Sequence, residues 1–114
     1  MELLPPELRV RLPPLGSQAG EAEPIIYAHL FIPDFPNHWY IAEGSPVGDD
    51  FIFFCFHIGS ELEEDWGCGK FTLSGLEALS RNWATVVRDL EFEAGRFTDV
   101  VPYPYLNEEF GPDT

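Results

Sequence analysis

The sequence predicts a single α+β domain: a mainly antiparallel sheet of about five strands, a short N-terminal helix, and one short helix after the fourth strand. Three observations carry this expectation. Apolar runs such as IIYAHLFI and FIFFCFHI are separated by clusters of Pro, Gly, Asp and Ser, the signature of strands joined by turns. Helix signals occur in only two places, around Pro5-Pro6 and at Ser74–Glu77. The length of 114 residues, with 45% hydrophobic and 15% aromatic content, suits one domain with a substantial core.

The elements follow in order. Pro5 and Pro6 fit a first helical turn, where a missing N–H costs nothing, and Leu4, Leu8 and Leu12 recur at i, i+4 as one apolar stripe. Pro13-Pro14 stops that helix, and residues 16–24 read as a linker. Ile25–Ile32 is the first strand, apolar on both faces apart from Tyr27 and His29, and Pro33–Asn37 is a turn by composition. His38–Glu43 is the second strand, with Trp39, Ile41 and Glu43 on one face and His38, Tyr40 and Ala42 on the other. Gly44–Asp50 reads as a hairpin loop longer than two residues. Phe51–Ile58, apolar throughout, is expected at the centre of the sheet.

An acidic connection, Gly59–Asp65, leads to a fourth strand at Trp66–Leu73. Gly67 and Gly69 alternate along it, which predicts close approach of a backbone or a bulky side chain. Ser74-Gly75-Leu76-Glu77 has the spacing of a capping box. It opens a helix to about Asn82 that buries Leu76 and Leu79, with Trp83 as a third candidate. Val86–Phe92 alternates in polarity and is read as a half-exposed fifth strand. Residues 94–114 contain Pro102, Pro104 and Pro112 among Phe97, Tyr103, Tyr105 and Phe110, and predict an extended C-terminal segment packed on the body.

Formal net charge is −14, from 20 acidic and 6 basic residues, with Lys70 the single lysine. Phosphates attract Lys and Arg, so this balance opposes direct binding to nucleic acid or to an anionic membrane. It favours a protein partner, and a basic one. Met1–Pro5 lacks a basic stretch followed by an apolar one, and no run reaches the length of a membrane span. The expectation is a cytoplasmic protein with both cysteines reduced.

Cys55, His57 and Cys68 are the candidate metal ligands. Cys55 and His57 share a strand face, and a hairpin closed near Leu62 would set His57 opposite Cys68. Asp65 or His38 would then complete a zinc-like set. The spacing is not that of a zinc finger, and unpaired cysteine is a common core residue. The sequence is therefore read as having no metal, no cofactor and no catalytic residues. Cys55 and His57 leave one strand in parallel and make no nucleophile–base pair. Ser45, Ser60, Ser74 and Ser80 lack a nucleophile-elbow context. The binding candidates are Glu61, Glu63, Glu64 and Asp65, with Trp66, Tyr103 and Tyr105 as aromatic anchors. Asp49 and Asp50 fall at the opposite end of the sheet, giving a distributed acidic surface compatible with imitation of duplex DNA, whose charges recur about every 1.7 Å.

Five motifs in order resemble one family: LPPLGSQ, HWYIAEGSP, FIFFCFHIG, WGCGKFTLSGLEAL and VRDLEF. Together they are similar to the bacterial family catalogued as domain of unknown function 2958, carried largely by plasmids, phages and conjugative elements. Its members show LPPLYSQ, WYATE, FFG, WGYFSL running into SELE, and ERDL, so the resemblance spans roughly residues 3–93. Here Cys55 stands where glycine is common and Cys68 where an aromatic is common, which makes any cysteine chemistry particular to this chain. The resemblance implies no activity or catalytic residue. It implies an accessory protein of mobile elements, and the sequence expectation is accordingly a small acidic, non-enzymatic binding or accessory protein. The alternative is a DNA-mimic inhibitor of a basic nucleic-acid-binding protein, of the anti-restriction or anti-CRISPR kind; the third option is a thiol or metal-dependent enzyme.

Overall fold

The chain is described at residues 2–60, 65–82 and 84–101 in a computed structural model. In order it forms α1 (Pro6–Arg9), β1 (Ile25–Ile26), β2 (Ala28–Phe31), β3 (His38–Val47) and β4 (Asp50–Ile58). Then come β5 (Trp66–Thr72), α2 (Leu73–Asn82), β6 (Val87–Arg88), β7 (Gly95–Arg96) and α3 (Phe97–Val100). Five strands make an antiparallel sheet in the order β5-β4-β3-β2-β6, and β1 pairs with β7 separately. The expected α+β architecture is present. One placement differs: β4 is interior, but β3 holds the middle of the sheet. Both strands have neighbours on each side, so an apolar run alone does not reveal which is central.

Pairing of β3 with β4 runs well past Glu43, from Gly44 opposite Phe53 to Val47 opposite Asp50. The connection is therefore the two-residue turn Gly48-Asp49, not a long loop. Gly48 has φ +58, the left-handed value that a glycine-first primed turn requires. Gly44 is a strand residue for a packing reason: a Cβ there would run into the Phe51 ring and approach Leu12.

Register shifts by one residue between Ile41 and Glu43, leaving Ala42 as a bulge. Trp39 and Ile41 keep the predicted face, but Glu43 turns to the side of Tyr40 and Ala42, contrary to strict alternation. There its two carboxylate oxygens accept the Gly16 N–H at 2.7 Å and the Gln18 N–H at 2.6 Å. Gln18 in turn accepts the Ile25 N–H at 2.6 Å and donates to the Ala42 carbonyl at 3.0 Å, an oxygen that the bulge releases. Gly44 donates to the Pro13 carbonyl at 2.9 Å, and Leu15 to the Ser45 hydroxyl at 3.0 Å. LPPLGSQ and AEGS are thus two halves of one interlocked structure.

Both faces of the sheet are covered, which is why β4 reads as an unbroken apolar run. One face sets Trp39, Ile41, Phe53 and Cys55 against Leu4, Leu12 and Leu76. The other sets Tyr40, Phe56 and Ile58 against Ile26, Phe97 and Val101. Leu4 and Leu12 are buried as the N-terminal stripe predicts, although α1 is a single turn.

Helix α2 starts at Leu73, so its cap is Thr72, whose hydroxyl oxygen accepts the Gly75 N–H at 3.1 Å. Ser74, expected as the cap, sits inside the first turn. Its hydroxyl donates to Asp50 at 2.5 Å, and its N–H reaches the other Asp50 oxygen at 3.1 Å.

The first predicted strand is broken at Tyr27, whose N–H donates to the Ile41 carbonyl at 2.8 Å while Ile25–Ile26 leaves to pair with β7. The last is cut to two residues, because the chain turns at Asp89 with one carboxylate oxygen accepting the Glu91 N–H at 3.1 Å. The segment expected to be extended from residue 94 instead forms β7 and α3 in its described part. Phe97 of α3 packs edge-on to Phe56 at 5.3 Å. Among the described residues no helix is long and apolar enough to cross a membrane.

Candidate functional site

Cys55, His57 and Cys68 do not converge. His57 stands opposite Gly67, and Cys68 opposite Phe56. That one-residue offset from the expected register turns Cys68 to the other face of the sheet, where it is exposed while Cys55 is buried. Burial pushes the Cys55 thiol well above its ordinary range, the condition of an inert core thiol. Asp65 accepts the Ser60 hydroxyl and, through its backbone carbonyl, the Gly59 N–H at 2.9 Å. Among the described residues no three His, Cys, Asp or Glu side chains gather as metal ligands would.

Of the predicted binding set, Glu61, Glu63, Glu64, Tyr103 and Tyr105 lie outside the described residues. Trp66 is half-buried beside Phe56 and Ile58 rather than projecting as an exposed anchor, and its indole N–H donates to the Ser60 carbonyl at 2.8 Å. It ties the β4–β5 connection to the body. Asp50, at the far end of β4, is held below the ordinary carboxylate range by the Ser74 hydroxyl and by the N–H groups of Phe51 and Ser74.

A hydrogen-bonded chain of titratable groups, invisible in the sequence, crosses the second face. Asp89 bonds His29 Nδ1 at 2.9 Å, and His29 Nε2 meets His38 Nδ1 at 2.8 Å. A carboxylate only accepts, so His29 carries its proton on Nδ1, accepts from His38 at Nε2, and leaves His38 Nε2 as a lone pair. His29 lies flat on Tyr40, with ring centroids 4.5 Å apart and 3° between planes. Burial lowers the His29 pKa against the opposing pull of Asp89. Burial, and then the neighbouring His29, bring His38 down to about 4. Two neutral rings and a carboxylate thus lock β6, β2 and β3 together.

On the first face, between the sheet and α2, lies a cavity of about 780 Å³. Trp39, His57 and Phe71 line it from the sheet and Leu76 and Leu79 from α2, with Asn37, Lys70 and Thr72 as further polar lining residues. The His57 ring stacks on Trp39 at 5.2 Å and 20°, with Phe71 edge-on to His57 at 4.9 Å. Gly67 and Gly69 face His57 and Cys55 across the strand pair and contribute no side chain. The crowding predicted over these glycines is not found: a Cβ on Gly69 would meet only the Phe71 ring at 3.6 Å, and one on Gly67 would meet nothing within 4 Å.

Trp39 is 2% exposed, yet its indole N–H has no hydrogen-bond partner among the described residues. Leaving such a donor unsatisfied costs about 1–3 kcal/mol. Comparison with family profiles, curated proteins and solved structures returns no match. The cavity is therefore read from its own chemistry. Burial lowers the His57 pKa against the pull of Asp65, so at neutral pH the imidazole offers one donor and one acceptor. Stacking and hydrogen bonding are what these groups provide. Sequence reasoning placed Trp39 and His57 on strands but not beside each other, because that pairing depends on a register set by the bulge and the turn.

Proposed function

We propose that this chain is a small acidic, non-enzymatic binding protein whose working surface is the cavity between the sheet and α2. The observation that carries the reading is the cavity itself, about 780 Å³, lined by the His57 and Phe71 rings of the sheet and by Leu76 and Leu79 of α2. That volume is in the range of small-molecule sites, which combine apolar walls with a few placed polar groups. The resemblance to domain of unknown function 2958 supports an accessory role of the kind mobile elements carry, in the cytoplasm and with a basic protein as a further partner. Imitation of duplex DNA draws less support, because it rests on the net charge of −14 alone. The test is a ligand-detected NMR fragment screen on the full chain and on Leu79→Trp, which narrows the cavity from the helix side. Binders to the native chain should lose binding in Leu79→Trp while its circular dichroism is unchanged. Binders indifferent to the substitution, or no binders at all, would remove the cavity from the account.

A further inference from the structure

We propose that His29 and His38 form a two-coordinate site for a soft monovalent cation, Cu(I) or Ag(I), held in line between His29 Nε2 and His38 Nδ1. This goes beyond the cavity reading and does not depend on it, since the two histidines lie on the other face of the sheet, with Tyr40.

The placement of the two rings supplies the geometry. The facing nitrogens are 2.8 Å apart, the ring centroids 5.1 Å, and the planes 17° from parallel. The centroid separation exceeds the nitrogen separation by about the width of an imidazole ring, so both nitrogens lie on the line joining the rings. A ring-nitrogen lone pair points outward along that line, and the two ligands therefore oppose each other, as a linear site requires. The far side of His29 is fixed as well, because its Nδ1–H donates to Asp89 at 2.9 Å. A carboxylate on the distal nitrogen is the usual support of a metal-bound histidine: it sets the tautomer and raises the basicity of the ligating nitrogen. The ion takes the place of the proton that His38 otherwise donates.

The surroundings select the ion. Zinc takes four ligands, and among the described residues no third His, Cys, Asp or Glu joins the pair. The neighbours of His29 are aromatic rings instead, Tyr40 at 4.5 Å, Phe31 at 5.3 Å and Phe92 at 5.9 Å between centroids. An ion satisfied by two nitrogens suits such a setting, and filled-shell monovalent cations adopt that geometry. Metal–imidazole bonds are about 2 Å long, so the nitrogens must part to about 4 Å. His38 can give that space: it is half-buried and opens β3 directly after the turn at 33–37, whereas His29 is buried within β2. On binding, the His38 proton moves from Nδ1 to Nε2, so the ring stays neutral and no proton is lost to solvent. The Asp89 carboxylate and the net charge of −14 both favour a cation here.

The experiment titrates Ag(I) into the ¹⁵N-labelled full chain carrying Cys68→Ser, which removes the exposed thiol as a competing ligand, and follows the ring nitrogens by NMR. Cu(I) in oxygen-free buffer is the second probe. The first equivalent of either ion is expected to shift His29 Nε2 and His38 Nδ1 and to leave both His57 nitrogens in place. His38→Phe, whose ring suits the neighbouring Phe31 and Tyr40, should lose this binding, and His57→Phe should keep it. Asp89→Asn should weaken it about 10–100-fold, the effect of removing the support behind a ligating histidine. Circular dichroism checks the folding of each variant, and the nitrogen shifts of the Cys68→Ser chain stand on their own where a variant fails to fold. The proposal is overturned if the first equivalent shifts His57 or no ring nitrogen at all, if Zn(II) binds the pair more tightly than Ag(I), or if folded His38→Phe binds as well as the chain that retains His38.

Discussion

Glu43 offers the sharpest test of how the N-terminal segment is fastened to the sheet. Its two oxygens serve two different donors, Gly16 N–H at 2.7 Å and Gln18 N–H at 2.6 Å. Glu43→Gln retains one acceptor and turns an NH₂ toward the other donor. Gly16 is exposed, so water relieves it and the loss is near the lower end of the range for an unmet donor, about 1 kcal/mol. Glu43→Ala removes both acceptors and opens space beneath a side chain that is 4% exposed. The half-buried Gln18 N–H then adds its own penalty, for a total of about 2–4 kcal/mol. With a urea slope of about 1–3 kcal/mol/M, Glu43→Ala should lower the unfolding midpoint by roughly 1–2 M. Amide hydrogen exchange separates the variants: Gly16 alone should exchange faster in Glu43→Gln, and Gly16 and Gln18 together in Glu43→Ala. A midpoint for Glu43→Ala within error of the native chain, with Gln18 still protected, would refute the clamp.

Thr72→Ala should cost about 1 kcal/mol in urea unfolding and Ser74→Ala less, since Thr72 is the helix cap; the reverse order would restore Ser74 to that role. Stability should fall as pH drops from 6.5 toward about 4, because unfolded imidazoles take up protons that folded His38 refuses. The full shift corresponds to at most about 3 kcal/mol, less where solvent screens a half-buried ring. His38→Phe should flatten that slope, and an unchanged slope would contradict the assignment. With a thiol reagent on the native chain, Cys68 should react readily and Cys55 only on unfolding; equal native rates would remove Cys55 from the core.

The sheet was legible because its strands carry their own signals. Phe51–Ile58 is apolar on both faces because both faces are covered, and the alternation of Trp39 and Ile41 against Tyr40 survives intact. What escaped the sequence depends on single-residue offsets or distant partners. The Ala42 bulge moves Glu43 across the sheet, and no residue at that point announces it. The Gly48-Asp49 turn was hidden because Gly44 and Pro46 resemble loop residues, whereas Gly44 is required by the Phe51 ring. Cys68 was assigned to the wrong face by a register offset of one. His29 and Asp89 are 60 positions apart, and their meeting follows from the place of β6 beside β2, which local pattern does not encode. The cavity is of the same kind: Trp39, His57 and Phe71 come from three strands whose alignment is a property of the assembled sheet.

The most direct measurement of the binding account is a crystal structure of the full chain grown with a binder from the fragment screen. The account predicts a bound molecule in the cavity between the sheet and α2, against His57, Phe71 and Leu79. A cavity filled by one of the chain's own side chains would contradict it.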